Sequence, residues 1–164
     1  MISSESMIGR HYSSGVDPDY LGRWAWSLYC GKNNIQVRII SLYNALRRPT
    51  YGATTVYNQQ KQYYCSKDIT ECSMEKLKQD IVANICAWMH QGKQIILMMD
   101  ANNNITNPTK NGLVKSLYDI GLKDAIISHH LGVPPNTYNR GHHPIDGIFV
   151  SPTIRIRQGG YDRF

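Results

Sequence analysis

The stretch QIILMMDANNN, residues 94–104, ends an apolar run with an aspartate, and an asparagine follows two residues later. Asp100 can orient or deprotonate a water, and Asn102 can donate to a developing oxyanion. Layered α/β folds gather ligands at strand ends, and alternation along a strand predicts both side chains on one side. An Asx turn is the alternative, because the same residues are good turn formers.

Two other strand-like stretches carry polar residues that suit the same chemistry. Tyr43 ends the run VRIISLY, and Asp146 lies inside PIDGIFVSP. A carboxylate in a buried strand is costly without a partner, so we expect a histidine or arginine beside Asp146. An Asp–His pair would fix an imidazole tautomer for catalysis. The alternative is a solvent-facing aspartate on an edge strand.

Histidines occur as two doublets, at His129–His130 and His142–His143. Adjacent side chains on a regular element point in different directions, so a doublet is a poor chelate without a third ligand. We therefore favour loop histidines beside a basic groove over a metal site. Arg38, Arg47 and Arg140 are among the basic residues that can contact phosphate.

The composition is that of a folded domain with a basic charge. Hydrophobic residues make up 41% and the net charge is +6, which favours a polyanionic partner such as nucleic acid. No apolar run is long enough to span a bilayer, and no membrane association is expected. The four cysteines lack C-x-x-C spacing, and no signal peptide precedes them. This predicts reduced thiols in an intracellular protein of the cytoplasm or nucleus rather than a secreted one; zinc at Cys65 and Cys72 is the less favoured alternative.

Periodicity predicts strands that alternate with helices. The first twenty residues predict a loop or a weakly supported strand, and Arg47 to Asp68 predicts a long loop with at most a helical turn. The regular elements, in chain order, are a hairpin over 22–30 and 35–43, a helix capped by Ser73 and ended by Gly92, a strand over 94–99, a helix capped by Asn111 and ended by Gly121, and strands over 145–151 and 153–157. Strands mixed with crossover helices indicate a layered α/β fold.

The ordered set of the Tyr43 strand, a helix, LMMDAN, GLKDA, NTYNRG and PIDGIFVSP resembles the endonuclease/exonuclease/phosphatase superfamily, which has the deoxyribonuclease I-like fold. The nearest variety is the apurinic/apyrimidinic-type endonuclease domain of retroelements. The resemblance covers residues 22–164 and leaves 1–21 as a poorly determined N-terminal segment. It implies part of an α/β sandwich with mixed, largely antiparallel sheets and outer helices.

The resemblance also implies roles for individual residues. Asp100 matches the aspartate that positions or activates the attacking water, and Asn102 the asparagine that helps to hold water and phosphate. Tyr43 matches the tyrosine that contacts the scissile phosphate. Asp146 matches the strand aspartate that hydrogen-bonds the catalytic histidine, and the stretch at Thr137–Tyr138 matches a region that shapes the substrate pocket.

The chain departs from the family pattern in several places. Met99 replaces the glycine before the aspartate, and Ala45 replaces a common proline. Residues 1–20 contain no match to the family's opening asparagine or metal-binding glutamate, and Asp162 is not followed by the histidine of the closing Ser-Asp-His motif. We therefore expect an incomplete domain whose sheet leaves an apolar surface exposed.

The implied function is metal-dependent hydrolysis of nucleic-acid phosphodiesters, with DNA the preferred substrate and Mg²⁺ or Mn²⁺ the cofactor. The resemblance implies that a longer parent protein carries a fused reverse transcriptase. Activity of the chain alone is expected to be lost or impaired. The alternatives are a non-catalytic nucleic-acid-binding remnant, a phosphatase of small or lipid phosphoesters, and a gene fragment without a stable function.

Overall fold

The computed structural model describes residues 5–47, 52, 54–130 and 133–161. Strands in this part of the chain are β1 (His11–Val16), β2 (Trp24–Cys30), β3 (Gln36–Tyr43), β4 (Gln94–Asp100), β5 (Lys123–Asp124) and β6 (Asp146–Val150). Its α-helices are α1 (Glu5–Ile8), α2 (Val56–Ser66), α3 (Ser73–His90) and α4 (Leu113–Asp119).

All six strands form one mixed sheet in the order β1-β2-β3-β4-β6-β5. Only the β3–β4 pair is parallel, and the other pairs are antiparallel. A parallel pair requires a crossover connection, which α2 and α3 supply between β3 and β4. The predicted α/β class with a largely antiparallel sheet is confirmed.

One face of the sheet packs against helices. The apolar residues of α3 recur at helical spacing and are buried: Leu77, Ile81, Ile85 and Trp88. They share a core with residues from the central strands and α4, including Ile40, Leu97, Phe149 and Leu117. Because strand side chains alternate, the central strands β3 and β4 give every second residue to this core and turn the others to the opposite face.

The opposite face carries a row of mostly apolar residues. Cross-strand pairing joins them in register across five strands, as Val16, Ala25, Ser41, Met98 and Ile148. Val16 is 52% exposed and Met98 is 37% exposed. The predicted apolar strand surface is therefore present, and we call it the open face. No helix among the described residues has the length and apolar character needed to cross a membrane.

The segment before β2 is more ordered than its composition predicts. The first twenty residues were expected to form a loop or weak strand, and β1 pairs with β2 along its length. Behind this hairpin the buried Arg23 donates from Nε and Nη2 to Asp17, at 2.7 and 2.6 Å, and from Nη1 to Asp80 of α3 at 3.0 Å. This ion network ties the hairpin to the helical layer.

The prediction of a long loop from Arg47 to Asp68 is wrong for the second half of this stretch, where α2 occupies Val56–Ser66. Thr55 caps the helix by accepting a hydrogen bond from the Asn58 amide. The helix buries only Gln60 and Tyr64, which explains its weak periodicity. Tyr64 donates its hydroxyl to Asp19 at 3.0 Å, so α2 is held by tertiary contacts.

Smaller predictions also need correction. Residues 153–157 alternate like a strand but form none, and the backbone instead turns after Ser151 with a bond from the Ile154 amide to the Ser151 carbonyl. The N-cap of α3 is Cys72 rather than Ser73, and that of α4 is Gly112 rather than Asn111. Each prediction was displaced by one residue.

Arg38 was named among the basic residues that can contact phosphate, with a solvated surface charge as the default, and its burial agrees with neither interpretation. Its side chain is buried, with the guanidinium 3.8 Å from the Trp26 ring and 4.0 Å from the Trp88 ring. Burial away from water lowers the pKa of this guanidinium from its usual value. Arg38 therefore belongs to the packing between the sheet and α3.

Candidate active site

Three of the four predicted catalytic residues form one row across adjacent strands. Tyr43 is paired with Asp100 in the parallel β3–β4 ladder, and Asp100 is paired with Asp146 in the antiparallel β4–β6 ladder. Residues directly opposite one another in a ladder share a face, so the row lies on the open face. Its position at the ends of β3 and β4 is the one that their order in the sequence predicted.

The ends of β3 and β4 are fastened to each other by the residues that follow them. The Asn44 amide donates to the Asp100 carbonyl at 3.0 Å, and Asn44 Nδ2 donates to the Ala101 carbonyl at 2.8 Å. In return, Asn102 Nδ2 donates to the Asn44 carbonyl at 2.8 Å. This bracket fixes the spacing between Tyr43 and Asp100.

Asn102 reaches this position by a route that differs from the predicted one. The strand ends at Asp100, so strand alternation does not place Asn102. Instead Asn102 has φ of +47°, in the left-handed region that asparagine tolerates better than most residues. Its amide N–H donates to Asp100 Oδ1 at 3.0 Å, which is the Asx turn considered as the alternative. The turn and the row of polar residues coexist.

The environment of Asp100 favours its protonated form. Burial raises the pKa of Asp100, the hydrogen bond from the Asn102 amide lowers it, and the nearby charge of Asp146 raises it again. The net shift is upward. A carboxylate with a raised pKa is a better proton acceptor than an ordinary aspartate, which suits a general base.

Asp146 lies at the start of β6 and is held there by its own backbone. Thr137 Oγ1 accepts hydrogen bonds from the amides of Ile145 at 2.9 Å and Asp146 at 3.2 Å. The predicted histidine or arginine partner is not found among the described residues, where no cation forms an ion pair with the Asp146 carboxylate. The carboxylate is half-buried and faces the same cleft as Asp100.

The row borders a cleft of about 850 Å³ on the open face, and Tyr43, Asp100, Asp146 and Thr137 line it. Asn102 lines a neighbouring cavity of about 570 Å³, which Tyr43 also borders. The structure thus brings three of the predicted residues into one cleft and the fourth to its edge.

Two residues of this region were missed by the sequence reasoning. Asn44 directly follows the predicted Tyr43, but nothing in the sequence shows that it brackets two strands. Tyr161 lines the cleft, and burial together with the charges of Asp124 and Asp146 raises the pKa of its phenol to about 12. Its segment follows β6 without regular structure, so no periodicity marks it.

The donor set allows a divalent cation in one particular manner. Within the described part of the chain, no group of three His, Cys, Asp or Glu side chains is close enough to hold a metal. Asp100 and Asp146 supply two carboxylates side by side, and Mg²⁺ commonly takes one or two carboxylates together with waters and substrate phosphates. The two carboxylates are therefore of the ligand type that Mg²⁺ or Mn²⁺ takes when it is bound together with substrate. All four cysteines are free thiols, as predicted.

Replacing Asp100 by Asn is expected to stabilise this chain at neutral pH. The amide oxygen can still accept from the Asn102 N–H, and the penalty for a half-buried charge beside Asp146 disappears. The folded pKa of Asp100 lies above the unfolded value, so the free energy of unfolding of the native chain falls as pH rises through the interval between the two values. Asp100→Asn has no such group and does not lose this stability. The gain in Tm should therefore vanish below about pH 4, near the pKa of an unfolded aspartate.

Thermal unfolding followed by circular dichroism across this pH range measures the effect. Glu71→Gln, at an exposed carboxylate, is the matched control and should leave Tm unchanged at every pH. A lower Tm for Asp100→Asn at neutral pH would show that the fold requires the charge.

Comparisons with known proteins bear on the fold. No protein-family model matches the chain, and no curated protein sequence matches it. Among solved structures, the human Nocturnin catalytic domain with bound sulfate is similar, with 16% identity, a TM-score of 0.50, and coverage of 88% of this chain and 49% of that one. The chain thus spans about half the length of that domain.

Two further structures are similar at lower scores. A β-hairpin deletion mutant of beta toxin from Staphylococcus aureus has 15% identity and a TM-score of 0.44 over 84% of this chain and 47% of its own. An endonuclease/exonuclease/phosphatase family protein from Bacteroides thetaiotaomicron has 17% identity and a TM-score of 0.36 over 79% of this chain and 40% of its own. At such identities the likeness to the Nocturnin domain shows a shared fold, which agrees with the predicted fold class.

Proposed function

We propose that this chain, which has the deoxyribonuclease I-like fold, acts in the metal-dependent hydrolysis of nucleic-acid phosphodiesters. One observation carries the proposal: Tyr43, Asp100 and Asp146 form a single row at the rim of a cleft. These residues are far apart in the sequence, and an Asx turn alone would not require them to meet. The net charge of +6 supports a polyanionic substrate.

The chemistry follows from the side chains in the row. Asp100, with its raised pKa, would orient a water and accept its proton as the water attacks phosphorus. The Tyr43 hydroxyl would donate to a phosphate oxygen as negative charge develops on it. The second N–H of the Asn102 side-chain amide, whose first is bonded to the Asn44 carbonyl, would do the same. Asp146 would hold the imidazole of a catalytic histidine. Bound Mg²⁺ or Mn²⁺ would neutralise charge on the phosphate.

A comparison of substrates tests the proposal in the protein that carries these 164 residues. We expect Mg²⁺-dependent nicking of supercoiled plasmid DNA that stops in EDTA and returns with Mn²⁺, without phosphate release from small phosphoesters above background. Phosphate release from small or lipid phosphoesters, without nicking, would favour a phosphatase. Salt-sensitive DNA binding without cleavage, unchanged by Mg²⁺ or by Asp100→Ala, would indicate a non-catalytic remnant.

A further inference from the structure

A second cavity continues from the row of polar residues across the surface. It measures about 570 Å³ and shares Tyr43 with the main cleft. The described residues that line it combine aromatic rings, aliphatic groups, an amide and one cation, contributed by Tyr57, Tyr138, Leu46, Val56, Asn102 and Arg140. None of the described residues that line it is acidic. The cavity therefore suits a ligand with a flat apolar group and a negative charge.

The wall formed by Tyr138 is held firmly beside the site. Asn136 Nδ2 donates to the carbonyl oxygens of Tyr138 at 3.2 Å and Gly141 at 3.0 Å, and the Gly141 amide closes the turn onto the Tyr138 carbonyl. The neighbouring Thr137 hydroxyl accepts from the backbone of β6. Tyr138 is nonetheless 47% exposed, so a fixed backbone presents an accessible aromatic ring.

The facing wall comes from the first turn of α2. Thr55 caps this helix, and Val56 and Tyr57 follow it into the cavity. The Tyr57 hydroxyl lies 3.5 Å from Cys72 Sγ, which anchors its polar end at the start of α3. Three tyrosines, Tyr43, Tyr57 and Tyr138, thus border one cavity from separate parts of the chain, and Arg140 adds a charge that can hold a phosphate.

We propose that this cavity binds the nucleotide next to the cleaved phosphate, with its base stacked on Tyr138 and its phosphate held by Arg140. Aromatic rings bind bases of any sequence because every base has a π-face. A small phosphoester has no base to fill the cavity, so the assignment names a nucleic-acid strand as the substrate class. It rests on the proposed function for the position of the cleaved bond.

Binding without hydrolysis tests the assignment in the 164-residue chain. Fluorescence anisotropy in EDTA compares a labelled single-stranded oligonucleotide with a strand of equal length and charge that carries abasic residues throughout. We expect tighter binding of the strand with bases. Tyr138→Ala should weaken it roughly tenfold and leave the abasic strand unchanged, whereas Tyr138→Phe should bind both strands normally. Arg140→Ala should weaken the binding of both strands. It should also lower the slope of log affinity against log salt concentration by about one.

Matched controls exclude general effects of ring or charge loss. Tyr12→Ala removes a tyrosine that is 70% exposed on β1, and Lys32→Ala removes an exposed charge at the far end of the β2–β3 hairpin. Both should change affinity less than about twofold. Circular dichroism confirms that each variant is folded.

Equal affinity for the two strands, or indifference to Tyr138→Ala, would overturn the assignment. Binding of anionic phospholipid vesicles with the same Tyr138 dependence, and without preference for bases, would also overturn it in favour of a lipid phosphoester. Base-dependent binding without any cleavage of nucleic acid by the protein in Mg²⁺ would contradict the proposed hydrolysis and leave the base-binding cavity in place. Nicking without base-dependent binding would support the proposed hydrolysis and overturn the base-binding cavity.

Discussion

Asp100→Asn is expected to reduce hydrolysis strongly in the protein that carries these residues, while the fold persists. The amide oxygen keeps the bond from the Asn102 N–H, so the turn after β4 remains. It cannot accept a proton from the attacking water, and loss of a general base costs about a hundred- to ten-thousand-fold in rate. Single-turnover cleavage of a labelled oligonucleotide measures the loss in the chemical step.

The comparison that makes this result specific is Asp119→Asn, which neutralises an exposed carboxylate at the end of α4 and should leave cleavage unchanged. If Asp100→Asn also raises Tm at neutral pH, one substitution separates the two explanations of this residue. A residue that only forms the turn would lose nothing in rate, whereas a general base would lose rate; the gain in stability shows in both cases that the folded chain did not need the charge. Near-normal turnover in Asp100→Asn would show that Asp100 forms the turn and is not the general base.

The site was predictable where its position depends on the order and apolar character of strands. VRIISLY and QIILMMD are buried on alternate residues, so their lengths and ends could be assigned from the sequence. Once those two strands are parallel neighbours, Tyr43 and Asp100 must lie at the same end of the sheet. Asp146 joins them because β6 is antiparallel to β4 and begins where β4 ends.

Other features depended on contacts that no local pattern records. α2 buries two residues and is held by the bond from Tyr64 to Asp19, so its own sequence carries little amphipathic periodicity. β1 is rich in serine and becomes a strand because β2 offers a complete edge. Conversely, residues 153–157 alternate correctly but do not pair with the sheet. A half-buried strand needs alternating apolar and polar residues, but it also needs a neighbouring strand with which to pair.

Asp17→Ala is expected to destabilise the fold by about 3–5 kcal/mol, because it leaves the Arg23 guanidinium buried without its main partner. Both side chains are completely buried, and Arg23 forms two hydrogen bonds to this one carboxylate. The network also supports the site, since the Arg23 carbonyl accepts from the Tyr43 amide at 2.9 Å. Urea unfolding monitored by circular dichroism gives the difference in free energy.

The pH dependence distinguishes the charged pair from simple loss of packing. Burial of Asp17 opposes its ionisation, but the hydrogen bonds and charge of Arg23, with the Asp19 amide, lower its pKa below the usual value. A lowered folded pKa gives stability that is present above the unfolded pKa, about 3.9, and is lost as pH falls through the folded pKa. The difference between the native chain and Asp17→Ala should therefore shrink in acid. Asp17→Asn, which keeps the shape, should be destabilised at neutral pH as well.

Asp119→Ala provides the reference for an exposed ion pair, because it breaks the contact with Lys115 on the surface of α4. Solvent screens such a pair, so its loss should change the free energy of unfolding by about 0–1 kcal/mol. Equal effects of Asp17→Ala and Asp119→Ala would show that Arg23 is satisfied without Asp17, through Asp19 and Asp80. A large effect for Asp17→Ala alone would make the buried ion pair the support that fixes β2, and through it Tyr43, at the edge of the cleft.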